Sequence, residues 1–338
     1  MAEAIGCGDA HFDGHITKHV PNAHNYIAHE LSKPCMYARR HGIKHVFWYG
    51  DTCQNHRMSY ESHVAMISLF NKFPDLKFDI ILGNHDMIGR DYRAGHSLEL
   101  LMLARLPNVR VHVKPTNLMI EGARVRFLPY PYDGFDRTAL NVAHIDVKGA
   151  KHENGTPVKS DFTSDAVAVI GHQHTKQRVR NMHFSGTMYQ TRFGESEEKF
   201  FHHIRFNSPD DYDIRNIRTT PDVLLTTLIV NKPEDLNIDP RKGELFKLHI
   251  QDGVDVSPSD WSHLRVVSTN AFTSRAEATE TTGAELAAGE QVQFSVPEFL
   301  EAHLTASGSS PDEVSSLMGL REHILRRDAA FGPAKRSK

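Results

Sequence analysis

Cysteine is scarce in this 338-residue chain. Only Cys7, Cys35 and Cys53 occur, an odd number without a CxxC pair. That excludes a disulfide framework and argues against a thiolate zinc or iron–sulfur centre. No apolar run approaches the roughly 18 residues needed to cross a bilayer, so no membrane partner is expected. The opening MAEAIGCGDAHFDG lacks the charged and apolar regions of a secretory leader. Neither sign of charge dominates: 39 Lys and Arg face 42 Asp and Glu, for a formal net charge of -3 at pH 7. Wrapping nucleic acid by bulk positive charge is therefore excluded, although a local basic groove or a metal centre is not. These absences together describe a soluble protein of a reducing, cytoplasmic compartment.

Histidine, by contrast, is plentiful, with 23 residues, and 39% of the chain is hydrophobic, enough for a substantial core. Residues 1–210 alternate short apolar runs with helix formers. Strands are expected at Ile43–Tyr49, Phe78–Leu82, Val109–Val113, Ala123–Leu128, Leu140–Ile145 and Val167–Ile170. Helices are expected at Met58–Phe70, Leu98–Leu106 and Ala23–Arg40, the last kinked or split by Pro34. Met182–Thr187 and Lys199–Phe206 resemble an antiparallel pair around TRFGESEE. The acidic NSPDDYD at 207–213 suggests a domain boundary near 210. Strands at Val223–Val230 and Leu245–Ile250 would belong to a smaller α+β domain, 211–293. Two capped helices are expected over 294–330, with Ser295 and Ser310 opening them, before a basic tail at 331–338. The alternation points to an α/β fold of sheet layers covered by helices.

The chemistry lies in five short segments: Gly8-Asp9-Ala10-His11, Gly50-Asp51, Gly83-Asn84-His85-Asp86, the lone His144, and Gly171-His172-Gln173-His174. The last four each follow an apolar run, at the strand edge where open sheets place their ligands. Asp, His and Asn donors suit manganese, iron, zinc or a similar divalent ion. Asp51 is the natural bridge between two ions, because a carboxylate has two oxygens and offsets their repulsion. Such a pair can clamp a phosphate and activate a shared water. Each residue alone has an ordinary reading. Asp9 and His11 could be a surface pair, Asp51 a helix N-cap, Asn84 a turn former, His144 an ordinary edge histidine, and His172 and His174 exposed loop histidines. All of these would have to hold together to remove the centre.

Arg57, Arg90, Arg93, Lys176, Arg178 and Arg180 follow the ligand segments and could rim a cleft for backbone phosphates.

In this order the segments resemble the calcineurin-like metallophosphoesterase superfamily over 1–210. Within it, the tract HFSGTMYQTRFGESEEKFFHHI and the segment spacing resemble the Mre11/SbcD nucleases, particularly phage-type SbcD. The resemblance implies a β-sandwich flanked by helices, with a smaller C-terminal α+β capping domain. It implies two divalent ions, manganese foremost, with magnesium, iron or zinc as alternatives. Asp9, His11, His174 and Asp51 would hold the first ion, and Asp51, Asn84, His144 and His172 the second. His85 would be catalytic, and the adjacent Asp86 would orient it or hold its charge. Gln54 departs from the pattern, standing where these nucleases often carry His, and His56 could substitute for it. The implied substrate is DNA, cut as an exonuclease or endonuclease. The implied partners are a second copy of the chain and a Rad50/SbcC-like coiled-coil ATPase that the terminal helices would dock. The implied location is the cytoplasm of a bacterial host if the chain is phage-encoded. The alternatives are a small-molecule phosphodiesterase or nucleotidase and a non-catalytic scaffold.

Overall fold

The computed structural model describes residues 1–196 and 198–271. The expected helices at 294–330, the tail at 331–338 and the end of the 211–293 region lie outside the described residues. The described residues contain two six-stranded sheets. In the first, β1 (Ala2–Cys7), β2 (His45–Trp48), β3 (Lys77–Ile81) and β4 (Val109–His112) run parallel. The long hairpin β11 (Lys199–Ser208) and β12 (Asp211–Thr219) joins the β1 side antiparallel, giving the order β12-β11-β1-β2-β3-β4. In the second, β6 (Ala123–Leu128), β7 (Leu140–Ala143), β8 (Ala168–Ile170) and β10 (Met182–Phe184) are parallel. Antiparallel β5 (Thr116–Ile120) and β9 (Gln177–Val179) form its edges.

Alternation along β2 shows how the layers pack. Phe47 and Tyr49 join Ile81, Val125, Phe127, Val142, Val169 and Ile204 in the core between the sheets. Trp48 points the other way, against Phe70 of α2 (Tyr60–Lys72), and Phe70 in turn meets Phe78 of β3. Successive side chains of a strand face opposite layers, so a wholly apolar strand needs cover on both sides. Ser59 caps α2 by accepting the Ser62 N–H, which fixes its start at Tyr60, two residues after the expected Met58. The third helix, α3 (Glu99–Ala104), is shorter than the expected Leu98–Leu106.

Three expectations are corrected. α1 (Ala23–Arg40) runs as one helix through Pro34. Its stripe of Ala23, Ile27, Leu31, Cys35 and Ala38 is buried, and that packing outweighs the single hydrogen bond Pro34 cannot donate. β10 and β11 do not pair with each other; they lie in different sheets. Period-2 patterning identifies a strand but not its neighbour. The boundary expected near 210 falls within the β11–β12 hairpin, so the sandwich continues to Thr219. A separate three-stranded parallel sheet then begins, with β13 (Leu224–Val230), β14 (Glu244–Ile250) and β15 (Val266–Ala271) around Val230, Leu236, Phe246 and Leu248. All three cysteines are buried and free. No helix among the described residues is long and apolar enough to cross a membrane.

Two buried histidines face each other across the sandwich. His183 on β10 and His202 on β11 have ring centroids 6.4 Å apart, and His202 Nδ1 takes the Tyr49 hydroxyl at 3.0 Å. Burial, aided by the Arg178 charge, pushes His183 down to about 4. Burial, then its neighbour His183, pushes His202 down to about 3. Both therefore bind fewer protons folded than unfolded between those values and the ordinary histidine range. Their contribution is complete above about pH 6.5 and shrinks as pH falls toward the folded values. Urea titrations on the wild type should show stability dropping by about 1.4 kcal/mol per pH unit for each histidine below pH 6.5. His183→Phe should remove one histidine's share of that slope; an unchanged slope would mean His183 is not held neutral.

Candidate metal centre

The parallel strands of both sheets end at one edge, and the five segments leave from there. Asp9 and His11 follow β1, Asp51 follows β2, and Asn84 and His85 follow β3. His144 follows β7 in the other sheet, and His172 and His174 follow β8. The turns are sharp. Asp9, His11, Asp51 and His172 all adopt left-handed backbone, with φ of 54°, 46°, 47° and 79°. Non-glycine residues rarely accept this without surrounding support, and such positions concentrate at functional sites. Glycine is required at Gly83, where an added Cβ would lie 2.1 Å from Asp51 Oδ1.

The side chains converge in two groups. In each of Asp9–His11–His174 and Asp51–His144–His172, one donor atom per residue lies within 4.8 Å of the others. His11 Nε2 faces His174 Nε2 at 3.0 Å. His144 Nε2 lies 3.1 Å from His172 Nδ1 and 3.0 Å from Asn84 Oδ1. Asp51 joins the groups: its Oδ2 is 3.3 Å from His144 Nε2 and 3.9 Å from His11 Nε2. Its other oxygen is fixed by the His85 N–H at 3.0 Å. The Asp9 carboxylate accepts the His172 N–H at 2.9 Å, tying the two sheets' loops together.

The donor chemistry fits cations. His144 Nδ1 must donate to the Tyr49 carbonyl at 2.7 Å, so in the neutral ring Nε2 carries the lone pair. That lone pair faces Asn84 Oδ1 and Asp51 Oδ2, both acceptors, and such an arrangement needs a proton or a metal ion between them. With the side chains alone, protons fill the gap. Burial would lower His144, but Asp51 and Asp9 raise it to about 9. Burial would likewise lower His174, yet Glu153 and Glu195 raise it to about 10. His11 is pushed down to about 3 by burial and by His174. Burial also opposes ionisation of Asp51, but His144, His11 and His85 hold its carboxylate well below the usual range. Divalent ions would replace those protons with neutral imidazole and carboxylate ligands. The two groups could hold one ion each.

Behind the candidate ligands lie residues the motifs did not reveal. Glu153 and Glu195 approach His174 Nδ1 at 3.1 and 3.2 Å, leaving Nε2 for the centre. Asp146 does the same for His172, 3.1 Å from its Nε2. Glu195 is itself held by Lys199 at 2.7 Å and by Thr191. Carboxylates on the far nitrogen of a ligating histidine fix its ring and tautomer. Glu195 lies in the FGE tract and Asp146 two residues after His144, but neither position alone signals its role.

An open cleft of about 220 Å³ reaches this centre, and His85 and Gln54 line it. His85 Nδ1 donates to the Gln54 carbonyl at 2.9 Å, leaving Nε2 as the nitrogen without that bond. The expectation that Asp86 orients His85 is corrected. Its fully buried carboxylate accepts from the N–H of Gly83, Thr52 and Cys53 and from the Ser97 hydroxyl. It therefore clamps the β2 and β3 loops together, and burial together with the Asp51 charge raises it to about 6.

The basic residues expected at the rim are dispersed. Of the residues proposed to contact substrate, only Gln54 is among those lining the cleft. His56, a possible substitute for Gln54, and Arg57 are not. Lys176 lies over the Phe200 ring, Arg93 pairs with Asp91, Arg178 donates to the Arg180 carbonyl, and Arg180 pairs with Asp165. Arg90 lies nearer, 5.7 Å over the Tyr130 ring, whose centroid is 6.5 Å from those of His144 and His172.

No family model matches the chain, and no curated protein matches it. A solved structure described as a novel archaeal phosphodiesterase is similar at 11% identity and a TM-score of 0.33. That alignment covers 64% of this chain and 99% of the other.

Proposed function

We propose that this chain is a dinuclear-metal phosphodiester hydrolase acting on DNA. The observation that carries the hydrolase reading is Asp51 Oδ2 between two three-residue donor groups, 3.3 Å from one histidine and 3.9 Å from another. Two divalent cations there, manganese foremost, would neutralise charge on the nonbridging oxygens and supply an acidified water. Asp9, His11 and His174 would hold one, and Asn84, His144 and His172 the other, with Asp51 shared. His85, held by Gln54 and exposed to the cleft, would place a proton on the leaving oxygen. DNA as substrate, a second copy of the chain and an SbcC-like ATPase partner rest on the motif resemblance.

A small-molecule phosphodiesterase is the second reading, favoured by the cleft's modest volume and by Lys176 and Arg93, which are engaged by Phe200 and Asp91 and do not line it. End-labelled linear duplex and single strands, a cyclic nucleotide and an aryl phosphodiester should each be assayed with manganese. Digestion of the strands supports the DNA reading. Turnover of the small diesters alone selects the second, and no turnover of any of them favours a scaffold.

A further inference from the structure

Arg192 is the one Lys or Arg among the described residues lining the cleft. Its Nη2 donates to Glu153 Oε2 at 3.0 Å, and the same carboxylate's Oε1 lies 3.1 Å from His174 Nδ1. A guanidinium therefore sits one carboxylate away from a candidate metal ligand. Its base is fixed: Thr191 is buried, and its N–H donates to the buried Glu195 carboxylate. Its tip is not, because the Arg192 side chain is 56% exposed. Its Nε also lies 3.8 Å from the buried Glu195 Oε1, a distance too long for a hydrogen bond, so the Nη2–Glu153 bond is the main tie to be exchanged. Glu153 keeps His174 as a partner when the arm leaves, and a guanidinium fork suits a phosphate at least as well as a carboxylate.

Resting on the phosphodiesterase reading, we propose that Arg192 leaves Glu153 to bind a second, non-reacting phosphate of the substrate. The substrate class is then a diester that carries a further phosphate, as a nucleotide strand does, rather than a plain diester. Glu153 holds the arm beside the centre until that phosphate arrives, so a plain diester gains nothing from it.

Two chromogenic probes test this with manganese: bis(4-nitrophenyl) phosphate, and the 4-nitrophenyl ester of thymidine 5′-phosphate bearing a 3′-phosphate. Arg192→Ala should lower kcat/KM for the phosphorylated probe at least about tenfold more than for the plain one, mainly through KM. Arg192→Lys should recover part of the difference, since it restores charge but not the fork. The salt dependence of KM for a single-stranded oligonucleotide should lose about one phosphate contact in Arg192→Ala, a slope change of roughly 0.7. Equal losses on both probes, or none, would overturn the assignment while leaving the hydrolase reading intact. If the wild type cleaves neither probe nor the oligonucleotide, the hydrolase reading fails and this one with it.

Discussion

Asp51→Ala is expected to lose the paired centre rather than weaken it. Asp51 Oδ2 is the atom that approaches a histidine of each group, at 3.3 and 3.9 Å. Removing it deletes the shared negative charge that would let two dications sit side by side. Manganese bound per chain, measured after dialysis, should fall from two to one or fewer. Phosphodiester turnover should fall by roughly 10³-fold or more, as expected when several kcal/mol of charge stabilisation is lost. The fold should survive, because Asp86 still ties Gly83, Thr52 and Cys53 together. A thermal melt near that of the wild type in chelator would separate the two effects. Two manganese ions per chain in Asp51→Ala would remove Asp51 from the bridge.

Much of this site was legible in the sequence, for a physical reason. Asp9, His11, Asp51, Asn84, His144, His172 and His174 sit where chain leaves a strand, and glycines beside them permit turns other residues would block. Strand ends and turn residues are local properties that a sequence carries openly. The supports were not legible, because Glu153, Glu195 and Asp146 reach their histidines from irregular segments that only tertiary packing brings close. Which basic residue lines the cleft was not legible either, for the related reason that nearness in sequence is not direction in space. Lys176 follows His174 by two residues yet extends over Phe200 of the opposite sheet, while Arg192, eighteen residues beyond His174, lines the cleft. Sheet layers covered by helices followed from apolar runs alternating with helix formers, whereas the sandwich arrangement came only with the motif resemblance. Which strands are neighbours was not legible, as β10 and β11 show, because both faces of each are buried where they begin and the pattern does not say by what.

His85→Asn should separate chemistry from metal binding. His85 is absent from both donor groups. Its Nδ1 is occupied by the Gln54 carbonyl at 2.9 Å, and its ring meets that of His11 edge-on at 5.2 Å between centroids. It therefore stands beside the centre with one nitrogen committed and the other available to the cleft. The hydrogen bond from Nδ1–H fixes the ring and leaves Nε2 as the nitrogen from which a proton could pass to a departing oxygen. Asparagine keeps a short polar side chain but cannot supply that proton. The expected result is two manganese ions retained and kcat lowered by about 10²–10⁴-fold with KM little changed, the range assigned to a positioned general acid. The loss should be smaller for a diester whose leaving group is already acidic, such as 4-nitrophenolate, than for one leaving as a sugar alkoxide. That split is the decisive part, because a merely structural histidine would depress both equally. If manganese is lost in parallel with activity, His85 is a ligand and the proton must come from elsewhere in the cleft.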